Sequence, residues 1–293
     1  MSAPRWSFEG RDWPHRDHSR FVDAGGVKWH VQVMGSGPGL LLLHGTGAAT
    51  HSWRDLAPLL AEHFTVVAPD LPGHGFTSAL RKASPVAVAT AVASLTAELG
   101  LPPALTVGHS AGAAIALTMA QHNLARPQAV VSLGGALLPF PGLAGKLFPA
   151  MAKGLFVNPF MPELFAMRAR MPGQIPAFIT KSTGSRIDAR GLALYERLMH
   201  TSGHIGGALA LMAHWDLEPL ERALPGLNLP VLLAHGSRDA TIPASTSRTV
   251  ATRLPQAELK VLSGLGHLAH EEQPEPHAAL ITSFARDHGI LAA

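Results

Sequence analysis

Ala104-Leu105-Thr106-Val107-Gly108-His109-Ser110-Ala111-Gly112-Ala113-Ala114 reads as a short apolar strand that meets a glycine, turns at a serine and opens at once into a helix. Glycines stand two residues to either side of Ser110 because the backbone turns sharply there. A side chain at either place would collide with the neighbouring strand or helix. The turn exposes the serine hydroxyl at the end of a strand, and the new helix aims its first N–H groups at any negative oxygen forming beside it.

Working outward, residues 39–43 are a continuous apolar run that ends in His44-Gly45-Thr46-Gly47, as a buried central strand entering a loop would. Residues 52–63 read as a helix, 64–68 as a strand, and 69–75 as a loop crowded with turn formers. A helix over 85–99 is capped by Gly100. Further strands are predicted at 129–133, 230–234 and 258–262, with helices at 244–253 and 273–288. The chain opens with a hairpin, 20–24 and 27–34, turning at Gly25-Gly26. Such alternation implies an α/β fold with a mostly parallel central sheet and helices on both faces. It breaks between 138 and 215, a Met-, Phe- and Pro-rich stretch with helical pieces and no clear strand. The expected organisation is a core of residues 1–137 and 216–293, with 138–215 inserted as a helical cap or lid.

A serine hydroxyl is a weak nucleophile and needs a base, which in turn needs an orienting acid. Two loops that follow predicted strands supply them in the order serine, acid, histidine. Asp239 closes His235-Gly236-Ser237-Arg238-Asp239, and His267 lies in Gly264-Leu265-Gly266-His267-Leu268. The backbone N–H groups of Thr46 and Ala111 are the expected oxyanion hole. His44 is expected to brace that loop. Trp53 and Trp215 are candidates for lining a substrate pocket. The apolar set Leu155-Phe156, Phe160-Met161, Leu164-Phe165 and Met167 reads either as packing of the insertion on the body or as the underside of a lid.

Composition narrows the chemistry. The chain has no cysteine, which removes disulfides and thiolate catalysis, and its 17 histidines include no HExxH pair. No phosphate-loop or dinucleotide fingerprint occurs, so neither a metal nor a cofactor is expected. A net charge of +3 gives no nucleic-acid footprint. The charge is uneven, however: residues 139–215 carry eight Lys or Arg, including Arg168 and Arg170, against three acids, so the insertion is +5 and the remainder −2. That balance suits an acidic ligand or an anionic membrane surface, and equally ordinary solvated helices. Residues 99–125 and 127–145 lack charge, but the first is broken by Pro102-Pro103 and Gln121-His122-Asn123, so no transmembrane segment is expected. The N-terminus has no apolar signal core, and cytoplasmic residence, with at most a peripheral membrane contact, is the expectation.

Together the elbow, the oxyanion loop and the acid and histidine segments resemble the α/β-hydrolase superfamily over nearly the whole chain. A narrower likeness rests on Trp29-His30-Val31-Gln32, His44 to Arg54, Asp70-Leu71-Pro72-Gly73-His74-Gly75-Phe76-Thr77, Gly108 to Ala114 and Gly266 to Glu272. These resemble the magnesium-chelatase accessory proteins of bacteriochlorophyll biosynthesis. The resemblance implies a cytoplasmic protein working near magnesium insertion into protoporphyrin IX, with a tetrapyrrole ligand and magnesium-chelatase subunits as partners, but it supplies no reaction. Two classes of function therefore stay open: a serine hydrolase cleaving an ester or related acyl bond in a hydrophobic substrate that can also be acidic, and a non-catalytic tetrapyrrole-binding accessory that retains the triad.

Overall fold

Among the described residues, the apolar runs assemble as eight strands of one sheet in the order β1-β2-β4-β3-β5-β6-β7-β8. They are β1 (Ser19–Ala24), β2 (Val27–Met34), β3 (Gly39–Leu43), β4 (Thr65–Pro69), β5 (Leu105–His109), β6 (Ala129–Leu133), β7 (Val231–Gly236) and β8 (Ala257–Leu262). The computed structural model describes residues 2–139, 151, 154–155, 158 and 160–292. From β4 to β8 every neighbouring pair is parallel, and β2 runs against both β1 and β4. β5, β6 and β7 are buried along their whole length, which is why their sequences are continuous rather than alternating in hydropathy. β8, at the edge, is partly exposed and alternates.

Period-two geometry divides the core into two layers. Leu41 and Leu43 point to the side covered by α2 (Pro85–Glu98) and α3 (Ala111–Gln121), whereas Leu40 and Leu42 point to the side of α1 (Leu56–Ala61) and the C-terminal helix Pro274–Asp287. α2 begins where the Ser84 hydroxyl accepts the Ala87 N–H, with Pro85 at the first helical position, and ends at Gly100 with φ +65°. The helix expected over 52–63 is shorter. Thr50–Trp53 forms a 3-10 turn and α1 starts only at Leu56. Pro58 explains the break: it has no N–H to donate to Arg54, and its ring would clash with that carbonyl in a continuous helix.

Between β6 and β7 the described residues form α4 (Met161–Ala169), α5 (Gln174–Thr183), α6 (Ala189–Met199) and α7 (Ser202–Ala213), followed by a short helix, Glu218–Ala223, and a 3-10 turn, Leu224–Gly226, with no strand among them. Phe156, Lys146 and Lys153 lie outside the described residues. α7 sits close to the loop after β4: a β-carbon on Gly207 would stand 1.9 Å from the Gly73 carbonyl oxygen. No described helix is long and apolar enough to cross a membrane.

Candidate active site

Ser110 occupies φ 52° and ψ −115°, between the end of β5 and the start of α3. A positive φ at a residue with a β-carbon costs on the order of 1–3 kcal/mol and persists only when the surroundings enforce it. Here they do. A β-carbon on Gly108 would lie 2.4 Å from the Ala113 nitrogen, and one on Gly112 would lie 2.0 Å from the Leu43 carbonyl oxygen. Both flanking glycines are thus required by close backbone approach, as the motif implies.

The loops after β7 and β8 bring Asp239 and His267 together. The His267 Nδ1–H donates to Asp239 Oδ2 at 2.7 Å, with both side chains buried. Asp239 Oδ1 accepts the N–H groups of Thr241 and Ile242, each at 2.8 Å, which fixes the carboxylate plane. With Nδ1 protonated, neutral His267 leaves Nε2 as a base, and Nε2 has no hydrogen-bond partner among the described residues. The Ser110 hydroxyl is likewise unbonded among the described residues, so the third link of the expected triad is not made, although Ser110 and His267 line one cavity. Gly134, with φ +53°, lies beneath the pair, where a β-carbon would come within 3.2 Å of His267 Nδ1 and 3.3 Å of Asp239 Oδ2.

Thr46 and Ala111 border the same cavity, and neither backbone N–H has an acceptor among the described residues. His44 braces their loop as expected. Its Nε2 accepts the Leu71 N–H at 2.8 Å, so the proton sits on Nδ1, which donates to the Gly45 carbonyl. Burial holds His44 below the usual histidine range, in the neutral form this arrangement needs. His109 donates from Nε2 to the His267 carbonyl at 3.0 Å, and burial pushes it well below that range too.

The cavity over Ser110 measures about 330 Å³ and is mostly apolar, with Trp215, Met212, Ile175 and Phe178 in its wall. Of the two candidate pocket tryptophans, Trp215 borders this cavity, whereas Trp53 is fully buried in the core layer of Leu42 and Leu56, its ring 4.7 Å from that of His270. The 3-10 turn that shortens the predicted helix carries Trp53 into that layer, away from the cavity. Of the apolar set in the insertion, Phe160, Leu164 and Met167 face solvent. Arg168 borders a second cavity, whereas Arg170 turns away to donate to the His200 carbonyl at 3.0 Å.

A buried ionic cluster beside the site was not evident from the sequence. Glu271 accepts hydrogen bonds from Arg54 Nη1, Ser52 Oγ and Tyr195 Oη, and Arg54 also binds Asp188 at 2.9 Å. Burial raises the Glu271 carboxyl above its usual range, against the pull of the Arg54 guanidinium. Tyr195 and Asp188 belong to α6 and its N-cap, so the cluster ties that helix to the segment after His267. The donor residues lie far apart in sequence.

An elbow serine, a buried Asp–His pair and two N–H groups without an acceptor among the described residues thus stand together at the carboxyl edge of a parallel sheet. The chain belongs to the alpha/beta hydrolase fold family, whose description matches residues 38–274. It is 41% identical over 280 residues to the magnesium-chelatase 30 kDa subunit of Rhodobacter capsulatus, covering 93% of this chain and 96% of that one. It is also 31% identical over 254 residues to the pimeloyl-[acyl-carrier protein] methyl ester esterase of Xanthomonas oryzae pv. oryzae, covering 83% and 94% of the two chains. Among solved structures, the epoxide hydrolase CorEH superposes with a TM-score of 0.78 at 24% identity over 92% of this chain and 98% of that one, a likeness of fold.

Proposed function

We propose that this protein is a serine hydrolase that cleaves an ester or related acyl bond in a hydrophobic substrate. The observation that carries the reading is the strained Ser110 elbow opening into the same apolar cavity as His267, whose Nδ1 is held by Asp239. Ser110 Oγ attacks the acyl carbon while His267 Nε2 takes its proton, and Asp239 stabilises the imidazolium. The oxyanion settles between the N–H groups of Thr46 and Ala111, each such donor contributing about 3 kcal/mol to the transition state. His267 then protonates the departing alcohol. Water, deprotonated by the same nitrogen, releases the acid and restores Ser110. Residues 1–137 and 216–293 act as the hydrolase core, and 138–215 as the lid whose Trp215 end lines the cavity. A fluorophosphonate should label the wild type, and Ser110→Ala should abolish labelling; equal labelling of both proteins would refute the assignment.

The 41% identical relative favours a second reading. In it, a cytoplasmic chain, peripheral to the membrane at most, binds a tetrapyrrole without cleaving it and contacts magnesium-chelatase subunits. Saturable protoporphyrin IX binding that Ser110→Ala leaves unchanged, with no labelling of the wild type, would select it.

A further inference from the structure

α5 is a wall between two cavities. Ile175 and Phe178 from this helix, with Met199 from the end of α6, border both the space over Ser110 and a second space of about 610 Å³. The helix's other residues divide by side. Ile179, Ser182 and Thr183 face the first space, and Gln174, Ala177 and Lys181 face the second. α4 adds Phe165, Arg168 and Ala169 and α7 adds Ile205 to the outer space, so among the described residues its lining is apolar apart from Gln174 and two cations, and contains no carboxylate. Neither Arg168 nor Lys181 has a hydrogen-bond or ion-pair partner among the described residues. Two unpaired cations on an apolar wall are complementary to a ligand that is apolar along its length and anionic at its end. Met199 can shift within the partition without backbone movement, because its side chain has three rotatable bonds.

We propose that the outer cavity holds the anionic end of an elongated substrate, its free carboxylate between Arg168 and Lys181, while its ester lies over Ser110. The ester end rests on the hydrolase reading; the anion site stands on its own residues. The test is calorimetric titration of Ser110→Ala protein, which leaves the probe intact. The probes are monomethyl esters of α,ω-diacids of eight, twelve and sixteen carbons, each paired with the methyl ester of the monoacid of the same length. A terminal carboxylate should tighten binding about tenfold at the chain length that spans both cavities, and the gain should shrink as salt is added. Arg168→Gln with Lys181→Gln should remove the gain, whereas Arg81→Gln with Lys82→Gln, at exposed positions elsewhere, should keep it. Equal affinity for acid and neutral probes at every length, or a gain that survives in the lid double variant, would overturn the proposal. Failure of Ser110 to react with a fluorophosphonate would instead remove only the hydrolase reading.

Discussion

The carbonyl oxygen of Thr183, the last residue of α5, accepts the backbone N–H of His267 at 2.8 Å. The same oxygen accepts the Ala240 N–H at 3.3 Å, so one peptide group touches both loops of the Asp–His pair. Two residues on, Ser185 Oγ accepts the Leu268 N–H and donates to Glu272 Oε1, each at 2.8 Å. The turn between α5 and α6 therefore does more than cover the site. It holds the loops that present Asp239 and His267.

Ser185→Ala tests that clamp. It leaves the buried Leu268 N–H without an acceptor, which should cost about 1–3 kcal/mol in urea unfolding. It should also slow fluorophosphonate labelling of Ser110, since His267 is the next residue along. Labelling at the wild-type rate in a destabilised variant would show the turn to be structural only.

Gly134 offers a narrower probe of the pair. An added methyl would press on His267 Nδ1 and Asp239 Oδ2 at 3.2–3.3 Å, in a backbone conformation, φ +53°, that alanine resists. Gly134→Ala should reduce labelling at least tenfold and lower stability by about 1–2 kcal/mol. A crystal structure of the variant with the 2.7 Å contact intact would contradict the steric argument.

Much of this site is legible in the sequence because it is local. The elbow needs two glycines within five residues, the Asp239 loop follows a continuous apolar run, and the His267 loop follows an alternating one, so that both preceding strands are marked by their pattern. What the sequence hid depends on contacts between distant segments. Gly134 follows β6 like any strand-ending glycine, and only folding sets it under His267. Thr183 and Ser185 act through a carbonyl and a hydroxyl 84 and 83 positions away from their partners, with no local pattern to announce them. Trp53 went the other way: Pro58 shortened its helix and left the ring in the core.

Asp239→Asn separates orientation from architecture. The amide can still accept the Thr241 and Ile242 N–H groups through one oxygen, so the loop should keep its shape. It can no longer hold a protonated Nδ1 on His267 or stabilise the imidazolium, and turnover of an ester substrate should fall about 10³- to 10⁴-fold. A loss below tenfold would assign the orienting role elsewhere.

The buried cluster makes a double-variant prediction. Arg54→Met strands Glu271 among buried groups and should cost about 3–5 kcal/mol, as should a variant that removes Glu271 alone. Arg54→Met combined with Glu271→Leu should cost less than the sum of the two, because no uncompensated charge is left. Strict additivity in urea unfolding would mean that the ion pair is not coupled.

Acid should destabilise the fold through its buried histidines, with His204 the most direct case. From α7 its Nδ1 accepts the Gly75 N–H and its Nε2–H donates to the Gly47 carbonyl, each at 3.0 Å, which joins α7 to the loops after β3 and β4. Burial pushes its pKa down to about 4. The unfolded chain, with an ordinary value near 6.5, therefore binds the proton more readily than the folded one. Stability from this residue is complete above about pH 6.5, declines as the pH falls toward 4, and levels off below, a total of about 3 kcal/mol. Burial also lowers His51, His74, His109 and His270, and these add in the same direction. His204→Gln keeps an acceptor and a donor without a titrating proton. Urea unfolding at pH 7, 6 and 5 should show the variant losing stability less steeply than the wild type by close to one proton. Parallel curves for the two proteins would mean that His204 is protonated equally well in the folded and unfolded chains.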